Sequence, residues 1–393
     1  MMKKAILIAA LGVLSLNMMA QDTPKEEGFV FTTVKENPIT SVKNQNRSST
    51  CWSFSSIGFL ESELLRAGKG EYDLSEMFVV HRTMEDRSVN YVRYHGNSSY
   101  SPGGSFYDVM YCLRNYGMVP QTAMPGIMYG DTLPVHNELD AVAGAYMDAV
   151  LKGKKLSPVW QKGLSAIYDT YLGQCPATFT YQGKEYTPKT FAASLGLNPD
   201  DYVSLTSFTH HPFYEKMNIE IQDNWRNGLS YNLPLDEFMA VIKNAVNTGY
   251  TVAWGSDVSE DGFTRNGIAV VPDAARGAEL TGSDMAHWLG LKAEDKRKEL
   301  TAKPLPEINV TQEMRQAAFD NWQTTDDHGM LIYGIAKDQN GKPYFMVKNS
   351  WGTNNPYKGT WYASEAFVAY KTINVLVHKN AVPKEILKKL GIQ

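Results

Sequence analysis

Along residues 51–66 apolar side chains recur at Trp52, Ile57, Leu60 and Leu64. That spacing lines one face of a helix, which begins at Cys51 and stops near Gly68 and Gly70. The pattern predicts a second helix over roughly 105–116, ended by Gly117, and helical stretches over 139–152 and 158–171. Residues 179–186 read as a short hairpin. Asn232 and Pro234 read as the cap and first-turn residue of a helix that ends near Gly249. From Tyr250 onward the character turns to strand, with segments at 250–255, 330–336, 344–348, 359–362 and 373–378. Residues 21–44 are polar and extended, and 382–390 read as a last helix. A helix-rich front half and a strand-rich back half predict an α+β protein, not alternating βαβ units.

Composition narrows this picture. With 393 residues, 43% of them hydrophobic, the chain can bury a large core, which excludes a disordered chain, a collagen and a disulfide scaffold. A formal charge of −4 gives no electrostatic reason to bind nucleic acid. Lys3 and Lys4 precede an apolar run of 12 residues from Ala5 to Leu16. That run is too short to span a bilayer but suits a signal peptide. Cleavage after Ala20 is expected, with export from a bacterial cell to the periplasm or beyond. No later stretch reaches membrane-spanning length. Of the three cysteines, Cys51, Cys112 and Cys175, at least one is left without an intrachain partner. Cys112 falls on the apolar face of its helix and reads as a small core residue; whether it bridges Cys175 is not legible.

Cys51 has the most unusual surroundings. Gln45-Asn46-Arg47-Ser48-Ser49-Thr50 delivers it to the first turn of a helix, where unpaired N–H groups and the helix dipole favour a thiolate nucleophile. Gln45 can supply an amide donor to a developing oxyanion, with the Cys51 backbone N–H as a second. A buried core cysteine with a solvated Gln45 fits this segment equally well. A base is the next requirement. His81, His95, His136 and His378 read as surface or packing residues, His210 and His211 lie in a turn before Pro212, and His287 lies on a predicted helix. His328 opens the strand Met330-Leu331-Ile332-Tyr333, the turn 338–341 reverses the chain, and 344–349 returns. Pairing about that turn places His328 near Asn349 to Trp351. Asn349 can then fix the imidazole tautomer, and Trp351 can roof the bond between them. Asp326, Asp327 and His328 are contiguous, and without a spaced His or Cys pair no metal site is expected.

Gln45, Cys51-Trp52-Ser53-Phe54, His328 and Asn349-Ser350-Trp351-Gly352 together resemble a papain-like cysteine peptidase. Leu74-Ser75-Glu76 resembles the family's segment after the catalytic helix, and Pro102-Gly103-Gly104 its substrate-binding glycines. The resemblance implies that Gly103, Gly104, Phe106, Asp327 and Trp351 contact substrate. Two departures single out one branch. Ser48-Ser49-Thr50 replace the usual residues before the nucleophile, and 277 positions separate Cys51 from His328, about twice the papain spacing. Both departures, with Leu172-Gly173-Gln174-Cys175-Pro176 and Asn232-Leu233-Pro234-Leu235, resemble the bleomycin hydrolase (aminopeptidase C) family.

The resemblance implies a two-lobed papain-like fold: a helical left lobe, a β-barrel-like right lobe, and a helical insertion between Cys and His. The expected divisions are 1–20 (signal peptide), 21–129 (N-terminal segment and helical lobe), 130–230 (insertion) and 231–393 (β-rich lobe and last helix). Implied activity is peptide hydrolysis on peptide or protein substrates by Cys51, His328, Asn349 and Gln45, with no metal or organic cofactor and no nucleic-acid partner. The family's hexamer leaves an oligomer open. A catalytically silent peptide-binding protein on the same fold is the alternative. Family members carry a C-terminal arm whose carboxylate holds the substrate's amine. Here 382–390 resembles the helix before that arm and Gln393 ends the sequence. The expectation is therefore an aminopeptidase fold that also cuts internal bonds, with no evident group to pair with a free amine.

Overall fold

The computed structural model describes residues 28–273 and 292–392. The expected signal segment and His287 lie outside the described residues. Helix α1 (Cys51–Arg66) is followed by α2 (Glu76–Arg93), α3 (Phe106–Asn115), α4 (Asn137–Leu151), α5 (Trp160–Leu172) and α6 (Pro188–Leu195). Later come α7 (Leu235–Asn247), α8 (Ala293–Ala302), α9 (Gln312–Asp320), α10 (Glu365–Lys371) and α11 (Lys384–Leu390). Of these, α2, α6, α8, α9 and α10 have no counterpart among the expected elements, and α2 is the longest. Ser75 caps it by accepting from Phe78 N at 3.1 Å, and Met77, Phe78, Val79, Val80 and Met84 are buried.

The expected hairpin forms as β2 (Phe179–Tyr181) and β3 (Lys184–Tyr186), turning through Gln182 and Gly183, both with positive φ. All other strands belong to one sheet. Its path is β5 (Lys216–Asn218), β6 (Leu229–Asn232), β4 (Tyr202–Thr206), β12 (Thr372–His378), β7 (Val252–Ser256), β9 (His328–Asp338), β10 (Pro343–Lys348), β11 (Thr360–Ser364) and β8 (Ile268–Ala269). Strand β1 (Phe31–Glu36) pairs the far end of β9. The path is open, with β5 and β8 at its ends, so the strands do not close into a barrel. Strand structure also begins well before Tyr250: β4 pairs β12 across the sheet, so residues 202–232 extend it. Asn232 departs from its expected capping role. It ends β6, accepts from Phe208 N at 2.9 Å and donates to Phe208 O at 2.7 Å, while Pro234 takes the cap position of α7.

The central strands are buried on both faces, and successive side chains serve different cores. Val252, Trp254, Met330, Ile332, Val375 and Val377 pack into the β-rich lobe under α7. Ala253, Leu331 and Leu376, the residues between them, pack into the helical lobe. Helix α1 lies against β9 and β7 at this seam, which is why it is buried nearly all round and not along one stripe. Its serines are satisfied locally: Ser56 Oγ donates to Trp52 O and Ser62 Oγ to Gly58 O, both at 2.8 Å. Cys51, Cys112 and Cys175 are all free thiols, so no 112–175 bridge is present. Among the described residues, no helix is long and apolar enough to cross a membrane.

Candidate active site

The seam between α1 and β9 brings the sequence-predicted residues together. Ser53 N and Phe54 N donate to Thr50 O at 2.9 and 3.2 Å, closing the first turn of α1. Ser49 just before it takes a left-handed φ of 55°, which swings the chain into the helix. Gly329 lets β9 approach this turn. A Cβ there would meet Ser55 Oγ at 2.6 Å and Cys51 O and Trp52 Cα at 3.3 Å. The backbone N–H groups of Gly329 and Trp52 favour the charged form of the Cys51 sulfur.

The hairpin from β9 to β10 places His328. Its register shifts between Met346 and Val347, so that Val347 faces Ile332 and Lys348 faces Leu331. Continuing that register sets Asn349 and Trp351 beside the start of β9. His328 Nε2 lies 2.8 Å from Asn349 Oδ1, and the same oxygen accepts from Ser350 N at 2.7 Å. An oxygen that accepts from a backbone N–H requires the Nε2–H tautomer of His328, so the lone pair sits on Nδ1. The Trp351 ring covers the imidazole at 4.7 Å between centroids, tilted by 30°. Loop 43–47 is fastened to the same corner, with Gln45 N donating to Ser350 O at 2.8 Å and Gly352 N to Lys43 O at 3.2 Å. Gln45 is only 6% exposed. Its Oε1 accepts from Ser350 Oγ at 2.6 Å, and its Nε2 makes no hydrogen bond among the described residues.

Electrostatics correct one expectation. The helix start was expected to lower the thiol pKa. Instead burial pushes the Cys51 thiol up to about 12; the two N–H donors act against this, and the carboxylates of Asp326 and Asp223 add to it. Burial pulls His328 down to about 4, although the Asn349 hydrogen bond and Asp327 act the other way. Enclosure in a cleft outweighs a helix dipole. Both groups are pushed toward their neutral forms, the thiol upward and the imidazole downward.

Cys51 and His328 open on one cleft, also lined by Trp52, Gly104, Phe106 and Asp326. Both glycines are demanded by packing: a Cβ on Gly104 would meet the Trp52 ring at 2.8 Å, and one on Gly103 would meet Asp223 Oδ2 at 2.0 Å. Trp52 Nε1 donates to Pro102 O at 3.1 Å and holds this backbone in place. Asp327 borders the cleft, but its carboxylate is occupied. It accepts from Val258 N at 3.2 Å, Ser259 N at 3.1 Å and the Ser259 hydroxyl, and so anchors the loop after β7. Trp351 covers His328 and is not among the residues lining the cleft.

Sequence reasoning passed over three features. Asp223 and Asp326 line the cleft. His81, expected to be a surface or packing residue, is buried with Nε2 2.9 Å from Asp169 Oδ1, and the neighbouring Cys175 and Glu85 overcome its burial to raise it to about 10. His210, His211 and Glu220 present ligand atoms within 4.8 Å of one another. This is the one group among the described residues with the donors for a cation, and it lies outside the cleft lining.

Comparison with known proteins agrees with this architecture. A sequence model of the Peptidase C1-like family matches residues 7–274 and 304–393. Aminopeptidase C of Streptococcus thermophilus is 23% identical, over 92% of this chain and 85% of its own. Aminopeptidase G of Lactobacillus delbrueckii subsp. lactis is 23% identical, over 91% of this chain and 84% of its own. The crystal structure of PepW from Lactobacillus rhamnosis HN001 superposes with a TM-score of 0.65 at 20% identity, covering 92% of this chain and 84% of that one, which shows a shared fold.

Proposed function

Because the chain belongs to the Peptidase C1-like family of papain-like cysteine peptidases, we propose that it hydrolyses peptide bonds with Cys51 as nucleophile and His328 as base. The observation that carries this reading is the 2.8 Å bond from His328 Nε2 to Asn349 Oδ1. It leaves Nδ1 as the basic nitrogen in a cleft shared with the Cys51 thiol.

In this mechanism the Cys51 sulfur attacks the peptide carbonyl carbon as its proton passes to His328 Nδ1. Asn349 steadies the imidazolium. Gln45 Nε2 and the Cys51 backbone N–H receive the oxyanion. When the C–N bond breaks, His328 returns the proton to the leaving amine. Water, deprotonated by His328, then splits the thioester into a carboxylic acid and the free thiol. Gly104 backbone beside the nucleophile would hold the substrate as an extended strand, with Phe106 in the adjoining pocket. The aminopeptidase names of the relatives favour removal of N-terminal residues; cleavage of internal bonds is the competing specificity. Export, proposed from Lys3, Lys4 and the apolar run after them, predicts a secreted form that begins near Gln21.

The test joins two readouts on the purified full chain. A thiol-alkylating peptide inhibitor should modify one cysteine, Cys51, and abolish hydrolysis of fluorogenic peptides. Stoichiometric inhibitor binding without any hydrolysis would establish the silent peptide-binding alternative. Alkylation confined to Cys112 or Cys175 would remove Cys51 from the mechanism.

A further inference from the structure

Two histidines outside the catalytic cleft converge on one carboxylate. His210 and His211 follow β4, and Glu220 follows β5. Their ligand atoms all lie within 4.8 Å of one another. His210 Nε2 stands 3.0 Å from Glu220 Oε2, and His211 Nε2 stands 2.8 Å from Glu220 Oε1. One histidine is enough to satisfy a surface carboxylate by hydrogen bonding. Here two imidazoles, packed at 4.7 Å between centroids, each set Nε2 on a different oxygen of the same group and make a three-donor set. The set is held from behind. Asn232, fully buried, donates from Nδ2 to His211 O at 2.9 Å and to Pro212 O at 3.2 Å, fixing the loop that carries both histidines. The His210 ring stacks on Phe319 of α9 at 5.7 Å and 15°. Gln316, one turn earlier on α9, lies against the other ring nitrogen, with Nε2 3.0 Å and Oε1 3.4 Å from His210 Nδ1. Its amide is itself tied down: Oε1 accepts from Thr209 N at 2.6 Å and Nε2 donates to Asp320 Oδ1 at 2.8 Å. Ile219, the residue before Glu220, is buried with Phe208 and Met217.

We propose that His210, His211 and Glu220 form a site for a divalent transition-metal ion of the zinc class, and that the ion clamps the loop after β4 to segment 219–224. This goes beyond the peptidase reading and does not depend on it. Two imidazole nitrogens and one carboxylate suit zinc, nickel or copper; calcium and magnesium require more oxygen donors. A tetrahedral zinc ion with donors about 2.0–2.1 Å away holds them about 3.3 Å apart. The 2.8 and 3.0 Å separations therefore need to open only by roughly a few tenths of an ångström. As the ion enters, each Nε2 presents its lone pair and the proton of a neutral ring moves to Nδ1. For His210, Gln316 Oε1 stands where it can accept from that Nδ1–H, the usual outer support of a ligating histidine. Three protein donors leave a position for water. The His210, His211 and Glu220 side chains are 29, 37 and 53% exposed, so the ion can exchange with solvent. The location gives the clamp a consequence. Glu220 borders an outer cavity with Ile221, Asp223 and Asp326, and those three also line the catalytic cleft. Segment 219–224 thus supplies cleft wall on one side and a metal ligand on the other. An ion that fixes Glu220 steadies that wall without touching substrate.

Binding is read on the full-length Cys51→Ala protein, which removes the cleft thiol as a competing zinc ligand. Chelator-treated protein is titrated with zinc chloride by calorimetry, and amide hydrogen exchange is followed with and without the ion. The site predicts one zinc per chain. His211→Ala and Glu220→Gln should each weaken binding by about tenfold or more, and Gln316→Ala, which removes the outer support, by about tenfold. Glu220 is the most exposed of the three ligands. Glu220→Gln should therefore keep the parent's unfolding midpoint in the absence of zinc, so that weakened binding there reports a lost ligand and not a lost fold. Zinc should slow exchange over 207–211 and 219–224 in the parent and not in Glu220→Gln. No zinc uptake, uptake unchanged in both His211→Ala and Glu220→Gln, or equal uptake of calcium overturns the site. Zinc bound through these residues without slower exchange over 219–224 overturns the clamp.

Discussion

Two acidic sets lie within reach of helix α1 and are treated in opposite ways. Glu61 and Glu76 have side chains 1% and 3% exposed, and both lie on Lys43 Nζ, at 3.4 and 2.6 Å. Glu61 also accepts from Thr40 Oγ1 at 2.5 Å and Leu74 N at 2.9 Å, and Lys348 reaches Thr40 at 2.9 Å. The second set, Asp223 and Asp326, faces the cleft. Arg87 and Ser101 attend Asp223 at 3.7 and 3.4 Å, and among the described residues nothing attends Asp326. The first set is saturated and holds loop 40–43, α1 and the start of α2 together. The second leaves a demand open to solvent and substrate. Burial and partners separate the two together: the first set is closed off and paired, whereas the Asp223 side chain is 27% exposed and Asp326 part-exposed at the cleft.

That contrast can be broken from either side. Lys43→Met strips the compensating charge from Glu61 and Glu76, and should cost about 3–5 kcal/mol of stability in urea unfolding. A loss below about 1 kcal/mol would mean that the cluster is no more than a surface network. Within the cleft, Gln45→Ala removes a donor to the oxyanion and should lower kcat about 10²–10³-fold with little change in KM. A change in KM alone would move Gln45 to substrate binding. Asn349→Ala leaves His328 able to accept a proton but unsteadied, for a loss of about 10- to 100-fold, the worth of a hydrogen bond to a charged group. His328→Ala should be far worse. Equal loss in both, with lowered stability, would indicate collapse of the corner.

The pH profile sharpens the same comparison. His328 accepts a proton only while neutral, and burial has lowered it to about 4. The acid limb of kcat/KM should therefore lie near pH 4, below the ordinary imidazole value of about 6.5. Burial, Asp223 and Asp327 push Asp326 up to about 8, so its ionisation would show as a separate limb at higher pH. A limb near 6.5 would show that the imidazole is not held neutral by its surroundings. The smallest effect is expected from Asp326→Asn on stability, a change under about 1 kcal/mol, since no favourable partner is lost. Loss of several kcal/mol would reveal a partner for Asp326 and remove the contrast with Glu61 and Glu76.

Legibility in sequence followed the range of the interactions. Cys51 at a helix start, and His328 facing Asn349 across a turn, are products of local geometry, so spacing sufficed to find them. Helix α2 escaped because Met77 to Val80 are buried in succession and show no 3.6-residue stripe. Strands β4 to β6 escaped because β4 pairs with β12, more than 160 positions away, and three- to five-residue segments carry little periodicity of their own. The direction of the Cys51 shift was misread because a helix start is visible in sequence and enclosure is not. Asp326 was visible as one letter among Asp326-Asp327-His328. Its lack of a partner exists only once Asp223, Arg87 and the loop after β7 have taken their places.

The most direct test of the account replaces each cysteine in turn, Cys51→Ala, Cys112→Ala and Cys175→Ala, and measures hydrolysis of a fluorogenic peptide beside the unfolding midpoint. Cys51→Ala should fall to background with its midpoint preserved, and the other two should keep turnover. Turnover retained in Cys51→Ala, or lost in Cys112→Ala or Cys175→Ala with the fold intact, would contradict the assignment of Cys51 as nucleophile.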